Sequence, residues 1–480
     1  MRKFFKMQQQ KVSRGLVLAL VMVSSFITPF IGASVNLALP LIGKDFGLNA
    51  VGMSWVTMAF LLSSAVFLVP IGKIADIAGR KRVFFWGNII MAISSVLCAI
   101  SPSGAVLITF RAVQGLGSAM VFATGVALIT SVFPPSDRGK AIGLNVTSVY
   151  IGLSAAPLIG GLLISWFGWE SLFYVPAFLG IFSALSIRMA VRSEWADARG
   201  ENFDFAGAAI YVPSMTLFMY GFSQLPDPVA VCLTILGFIG LIFFVRVELR
   251  ASYPVFNVRL FRNNRLFAMS NVAALINYAT TFAITFVLSL YLQYIKGLSP
   301  REAGLLLIVQ PLLMAFVSSW SGKMSDKHDP RILASLGMGI IAVGLALLIP
   351  IGKNTSITYL IVAQAILGFG FGLFSSPNTN SVMGSVEKKF LGIASGTVAT
   401  MRLTGQMASM GIATLILQLY IGKSDINPGN YRQFGWSVGT TFTVFVLLCI
   451  VGVWASLARG KNNGNSMREL NPENEMERIA

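Results

Sequence analysis

Fourteen apolar stretches alternate with short polar joints along this chain: residues 15–42, 52–72, 83–100, 105–132, 141–165, 171–191, 206–224, 229–247, 267–294, 303–321, 332–351, 357–381, 391–420 and 435–458. A helix needs roughly 20 apolar residues to cross a bilayer. The pattern therefore predicts an all-α integral membrane protein with fourteen transmembrane helices.

The joints repeat. Gly72-Lys73-Ile74-Ala75-Asp76 returns 250 positions later as Gly322-Lys323-Met324-Ser325-Asp326, and Gly47-Leu48 returns as Gly297-Leu298. At an offset of 253, Ala112, Gly115 and Gly117 fall on Ala365, Gly368 and Gly370, and Gly139, Ala141 and Gly143 fall on Gly392, Ala394 and Gly396. One half of the chain thus reads as a copy of the other, a feature of secondary transporters whose halves rock about a central site. The register divides the chain into a tail (1–14), a six-helix bundle (15–192), a linker with two extra transmembrane helices (193–263), a second six-helix bundle (264–459) and a polar tail (460–480).

Composition sharpens the class. Only 11% of the 480 residues are charged against 55% hydrophobic, where soluble domains carry about 25% charged residues. The net charge of +17 invites a nucleic-acid partner, but its distribution removes the need for one. With both termini inside, 28 of the 36 Lys and Arg fall in inner joints and tails, and six (Lys44, Lys296, Arg301, Lys353, Lys423 and Arg432) in outer ones. That is the positive-inside bias of a multi-pass protein, with anionic membrane lipid as its electrostatic partner. The first apolar run is too long for a signal peptide and reads as an uncleaved span. Cys98, Cys232 and Cys449 sit in predicted spans, and the lone His328 in a charged joint. Neither pattern calls for a metal or a cofactor. The glycine runs at 115–117 and 368–372 follow no strand and precede no Lys-Ser or Lys-Thr, so ATP binding and enzyme chemistry are not expected.

Charge inside the membrane is the strongest functional signal. Arg111 lies about 10 Å deep at 1.5 Å per residue, where a bare charge costs at least ~2.5 kcal/mol. Arg402 lies deeper still. Their repeat mates are Gln364 and Val149, so the scaffold's symmetry requires neither charge. Both are candidate substrate contacts, with capture by backbone carbonyls as the structural alternative. Asn36, Gln114, Asn145, Tyr150, Asn277, Tyr278, Gln310, Asn378 and Gln406 are candidates for the same cavity, or for hydrogen bonds between helices. Gly152, Ala156, Pro157, Gly160 and Gly161 form small-residue faces on the fifth helix, next to a proline that removes one backbone hydrogen bond. All nineteen acids fall in joints, tails or helix ends, so no buried carboxylate is expected, and a cavity with two arginines would favour neutral or anionic cargo.

These motifs together resemble the major facilitator superfamily, and within it the fourteen-helix drug:proton antiporter branch. The likeness rests on Gly72 to Arg82, Val35-Asn36-Leu37-Ala38-Leu39-Pro40, Trp55-Val56, Arg111-x-x-Gln114-Gly115-x-Gly117-x-Ala119, Gly152-x-x-x-Ala156-Pro157-x-x-Gly160-Gly161, Phe261-Arg262-Asn263 and Arg402-x-x-Gly405. It implies export of small amphipathic or drug-like molecules by alternating access, across the cell membrane; the sequence leaves the oligomeric state open, with a monomer as the expectation. It also implies a gate in which Gly72, Asp76, Arg80 and Arg82 form a charge clamp with Arg138 and the end of helix 13, with Gly152, Pro157 and Gly161 shaping the bundle interface. Three positions depart from the family pattern. Ile31 stands where the family carries an acid, Ala156 where it carries glycine, and Glu170 where it carries arginine. The group for proton coupling is left unassigned; Glu302 and Glu170 at the outer rim are candidates for it, with solvated loop acids as the alternative. A proton-uncoupled facilitator or uptake carrier of a neutral or anionic metabolite remains an alternative, as does a non-transporting receptor or scaffold on the same fold.

Overall fold

The computed structural model describes residues 14–134, 137–191, 193–251, 254–256, 258–325, 327–386, 391–422 and 424–459. Asp326, Lys388, Lys389, Lys423, residues 1–13 and the polar tail 460–480 lie outside them. Among the described residues, fourteen long helices account for the membrane-embedded mass: α1 (Arg14–Phe46), α2 (Ala50–Ala78), α3 (Arg80–Ala99), α4 (Gly104–Val132), α5 (Arg138–Phe167), α6 (Ser171–Ala190), α7 (Phe205–Ser223), α8 (Pro228–Glu248), α9 (Arg265–Ile295), α10 (Pro300–Ser325), α11 (Pro330–Leu347), α12 (Ile357–Gly384), α13 (Leu391–Ile421) and α14 (Tyr431–Ala458). Thirteen are apolar enough to span a bilayer by composition alone. The exception, α13, is 31 residues long and carries Arg402, Thr404 and Gln406 in its middle, because it faces the interior seam and not lipid alone.

Local chemistry sets the helix ends. Asn49, Ser103, Asp204, Asp227, Asn264, Ser299, Asp329 and Ser356 each cap a helix N-terminus through their side chains, satisfying N–H groups that lack an intrahelical partner. Pro228, Pro300 and Pro330 stand in first turns, where proline's missing N–H costs nothing.

Helices α1–α6 pack into one bundle and α9–α14 into another, and the repeat in sequence returns as a repeat in space. A Cβ on Gly117 would stand 2.9 Å from the Gly87 carbonyl oxygen; one on Gly370 would stand 2.8 Å from that of Gly337. Both pairs are crossings of backbone on backbone that only glycine permits. The basic joint is taken as the inner end of the molecule.

Two main seams join the bundles, α2 with α13 and α5 with α10, and α9 also touches α1. The α7–α8 hairpin lies against the first: Tyr211 Oη donates to the Ala65 carbonyl at 3.4 Å, and Trp55 and Tyr220 pack with ring centroids 5.2 Å apart. Beside the seams the second bundle is irregular. α9 leaves regular geometry at Phe282 and ends in a π-turn at Tyr291–Ile295, and α10 is interrupted at Ile308, three residues before Pro311.

Candidate functional site

Two adjoining chambers lie between the bundles. The inner one, about 60 Å³, is lined by Thr28, Gly32, Phe60, Phe122, Val149, Tyr150, Arg402 and Leu403 among others. The outer one, about 70 Å³, is lined by Asn36, Pro157, Thr281, Thr285, Gln310, Pro311 and Met314 among others. Leu153, Tyr278, Phe282, Phe371 and Gln406 belong to both. Tyr278 and Phe371 meet edge to face, with centroids 5.6 Å apart. Each chamber has room for about two waters, so this is a contracted form of the crevice.

The outer end is shut at the level of the backbone. Ser289 Oγ donates to the Asn36 carbonyl at 2.8 Å, Gln293 Nε2 to that of Leu37 at 3.1 Å, and Ser154 Oγ to that of Pro311 at 2.9 Å. Tyr150 and Ser375 share a hydrogen bond between their hydroxyls across the bundles. At the inner floor the closure is made by side chains. The Arg402 guanidinium lies 4.8 Å from the centre of the Phe122 ring, and Leu403 joins an apolar cluster with Leu68 and Ile71 of α2. A cation on an aromatic face gains about 0.5–2 kcal/mol, more when water is excluded.

The small residues of α5 fall on two faces. Gly152 abuts the Phe26 carbonyl of α1, and a Cβ on Gly160 would stand 2.8 Å from the Ser34 Cβ of α1. Ala156 packs between them against Phe30 and Ala33. Gly161 faces the other way: its Cβ would stand 2.9 Å from the Pro300 carbonyl oxygen of α10, while Gly304 of α10 rests on the Pro157 carbonyl. The first face holds one bundle together; the second closes the seam between the two.

Of the eleven residues that sequence reasoning put at the substrate cavity, Asn36, Tyr150, Tyr278, Gln310, Arg402 and Gln406 line the chambers. Arg111 and Gln114 lie within the first bundle, fully buried. Arg111 Nε donates to the Val56 carbonyl at 2.9 Å, another of its nitrogens to Gln114 Oε1, and Gln114 Nε2 to Ser95 Oγ at 2.6 Å. The guanidinium packs over Phe60 at 4.5 Å and Phe173 at 5.9 Å. Its repeat mate does the same work: Gln364 Nε2 donates to the Leu306 carbonyl at 2.9 Å, and Leu306 is the repeat mate of Val56. Asn378 binds the Ser270 carbonyl and accepts from Arg459. Asn145 and Asn277 are buried off the chambers, with Asn145 Oδ1 and both amide atoms of Asn277 lacking a hydrogen bond.

The chamber residues that sequence reasoning missed include Phe60, Phe122, Phe282, Phe371, Thr281 and Thr285. Nothing in the pattern separates these phenylalanines from the rest of the 36 in the chain. Thr281 and Thr285 follow Tyr278 at helical spacing, the one signal that could have found them.

At the inner end the charges pair within the first half and the start of the linker. Asp76 Oδ1 accepts from Arg80 Nε at 2.8 Å; Arg80 also reaches Asp197 at 2.7 Å and Ser131 Oγ at 2.6 Å. Lys73 pairs with Glu201 at 2.6 Å. Glu194 accepts the Lys81 and Arg82 N–H groups, and Gly79 (φ +119°) lies so close that a Cβ would stand 2.6 Å from its carboxylate. Gly72 passes the Ala123 side chain of α4, and Arg138 Nε donates to the Phe133 carbonyl. Among the described residues, no ion pair joins this cluster to α13 or to Arg138. Among the described residues the implied clamp across the bundles is not made: Arg80 is held by Asp76 and Asp197 within the first half and the linker.

No carboxylate lines either chamber among the described residues. Glu302 is held outside by its own capping box, where Ser299 N–H and Oγ each donate to Oε2 at 2.8 Å. Glu170 stands in the Gly168 turn beside Trp169, whose indole N–H donates to Asp45 at 2.8 Å. One expectation needs correction. Glu248 is 1% exposed, so the chain does contain a buried acid, but at the inner end of α8. There the Phe256 N–H donates to its carboxylate at 3.4 Å.

The chain matches other proteins over most of its length. It is 30% identical to the riboflavin transporter RibZ of Clostridioides difficile across 81% of this chain and 85% of that protein. It is 27% identical to the multidrug resistance protein Stp of Mycobacterium tuberculosis across 86% and 76%, and 28% to the drug efflux pump JefA of the same organism across 81% and 78%. The structure of a bacterial homologue of the human lysosomal transporter Spinster, inward-facing and unoccupied, superposes with a TM-score of 0.68 at 17% identity, covering 94% of this chain and 97% of that one. The family model described as Major Facilitator Superfamily matches residues 21–260 and 271–473, so the two repeated bundles and the chambers at their seam are those of a membrane transporter belonging to that superfamily.

Proposed function

We propose that this protein exports small, ring-bearing amphipathic molecules across the plasma membrane by alternating access. The observation that carries the reading is the chemistry of the two chambers: one guanidinium and three amides (Asn36, Gln310 and Gln406) set into a wall of phenylalanine and tyrosine. Arg402 and Gln406 would hold an acceptor-rich end of the cargo, and Phe60, Phe122, Phe282 and Phe371 its apolar rings. The names of relatives, a riboflavin transporter and several drug-efflux proteins, support cargo of that kind. Arg111 and Gln114 act in this reading by fixing α2, α3 and α4, and Asn145, Asn277 and Asn378 by fixing their own bundles. Gly161 and Pro157 form the outer gate, and Asp76 with Arg80 belongs to the inner one.

A second reading, transport without protons, is favoured by the absence of an acid at the chambers among the described residues, since antiport needs a group that binds and releases a proton as access alternates. Proteoliposomes loaded with riboflavin or a fluorescent drug, with a pH gradient imposed, separate the two. Flux that accelerates with the gradient supports antiport and directs mutagenesis to Glu302 and Glu170. Flux that ignores it leaves a facilitator. No flux of any tested compound, with activity retained after cross-linking the outer seam, would favour the receptor reading instead.

A further inference from the structure

At the outer end of the second bundle, away from the chambers, the ends of α9, α13 and α14 and the α11–α12 joint surround a recess of about 630 Å³. We propose that it binds an anionic phospholipid, with the head group in the recess and an acyl chain along α14. Lys353 and Arg432 line it, and among the described residues neither has a carboxylate within ion-pair distance; Asp425, in the adjoining joint, pairs with neither. Arg432 lies over the Trp436 ring at 4.7 Å, so the indole steadies the guanidinium while its N–H groups stay available to an anion. The hydroxyls of Tyr420 and Thr440, hydrogen-bonded to each other at 2.9 Å, leave one further O–H donor at the recess.

Two observations make the occupant a lipid and not a free anion. Tyr420, Tyr431 and Trp436 gather where α13 and α14 reach the membrane surface, the depth at which amphipathic rings settle. Below the recess, Trp436, Thr443, Leu447, Ile450, Val451 and Trp454 are exposed and recur at the three- and four-residue spacing of a single helix face. From Trp436 to Leu447 that face runs about 16 Å, close to half of the ~30 Å hydrocarbon core. A phosphate ion would account for the two cations but not for the stripe.

The test is native mass spectrometry of the full chain in detergent with phosphatidylglycerol or with phosphatidylcholine of the same acyl chains. Selective retention of phosphatidylglycerol is expected. Lys353→Gln should lower it about five-fold and Lys353→Gln with Arg432→Gln about 25-fold, while Leu447→Ser should weaken it with both cations intact. Because Lys353 is exposed, the single variant tests the site even if the double variant folds poorly. Equal retention of the two lipids, or retention indifferent to Lys353→Gln, would overturn the proposal. So would displacement of the lipid by millimolar inorganic phosphate or glycerol phosphate, which would make the recess a free-anion site.

Discussion

Replacing Gly161 by alanine tests whether the outer seam is what holds this conformation. The new Cβ would stand 2.9 Å from the Pro300 carbonyl oxygen and 3.2 Å from the Arg301 Cα, short by roughly 0.5 Å of the ~3.4 Å at which ordinary contact begins. Both obstacles are backbone, so no rotamer relieves them; α5 and α10 must separate. Overpacking of this kind costs about 1–3 kcal/mol, and the cost falls on the closed seam alone. The ratio of outer-closed to outer-open molecules should therefore drop about 5- to 150-fold. Gly160→Ala is the control. It adds the same methyl one residue away, toward Ser34 of α1 at 2.8 Å, inside one bundle, and should lower stability without moving the bundles. Spin labels at Lys44 and Lys353, exposed on the two outer ends, in a background lacking Cys98, Cys232 and Cys449, report the separation by double electron–electron resonance. A longer distance population in Gly161→Ala and not in Gly160→Ala is the expected result. Identical distributions in a folded Gly161→Ala protein would refute the assignment of this face to the gate.

Arg111→Gln should be tolerated, because Gln364 makes the equivalent bond to a carbonyl in the other bundle, whereas Arg111→Ala removes the donor to the Val56 carbonyl and to Gln114 Oε1 and should cost about 2–5 kcal/mol, read as a lower melting temperature in detergent. Arg402→Gln should raise KM about 10- to 150-fold for cargo with an anionic or acceptor-rich end, the worth of a charge-assisted hydrogen bond at about 1.5–3 kcal/mol, with little effect on a purely apolar dye in the same flux assay. Asp76→Asn removes the charge that steadies Arg80 and should slow turnover more than it weakens equilibrium binding; an equal loss of both would count against a gating part.

The length and order of the helices were legible because lipid leaves few options: roughly 20 apolar residues and a basic joint mark each crossing. α13 shows the limit of that signal, since its interior is polar just where it matters. The chambers were half legible. Arg402 and Tyr150 announce themselves as polar groups deep in apolar helices, but depth says nothing about which way a side chain points, and Arg111, also within the membrane span, turns into its own bundle. The aromatic wall carried no signal at all, because a phenylalanine facing lipid and one facing cargo are the same letter. Glu248 shows the complementary failure: an acid at a helix end looks solvated in the sequence, yet this one is buried with the Phe256 N–H on its carboxylate.

The repeat separates scaffold from specificity. Where paired positions keep the same geometry with different residues, as Arg111 and Gln364 do in donating to Val56 and Leu306, the position serves the bundle, and its charge is one solution among several. Other pairs face the chambers from both sides: Thr28 with Tyr278, Gly32 with Phe282, Val149 with Arg402 and Leu153 with Gln406. Here symmetry holds in place but not in chemistry. In the last two pairs the second bundle brings a guanidinium and an amide, and the first brings valine and leucine. A symmetric cargo would gain nothing from such a wall, whereas a molecule with one acceptor-rich end and one apolar end would be oriented by it before either gate moved. The polarity of the crevice, and not its size, is therefore what should select the cargo.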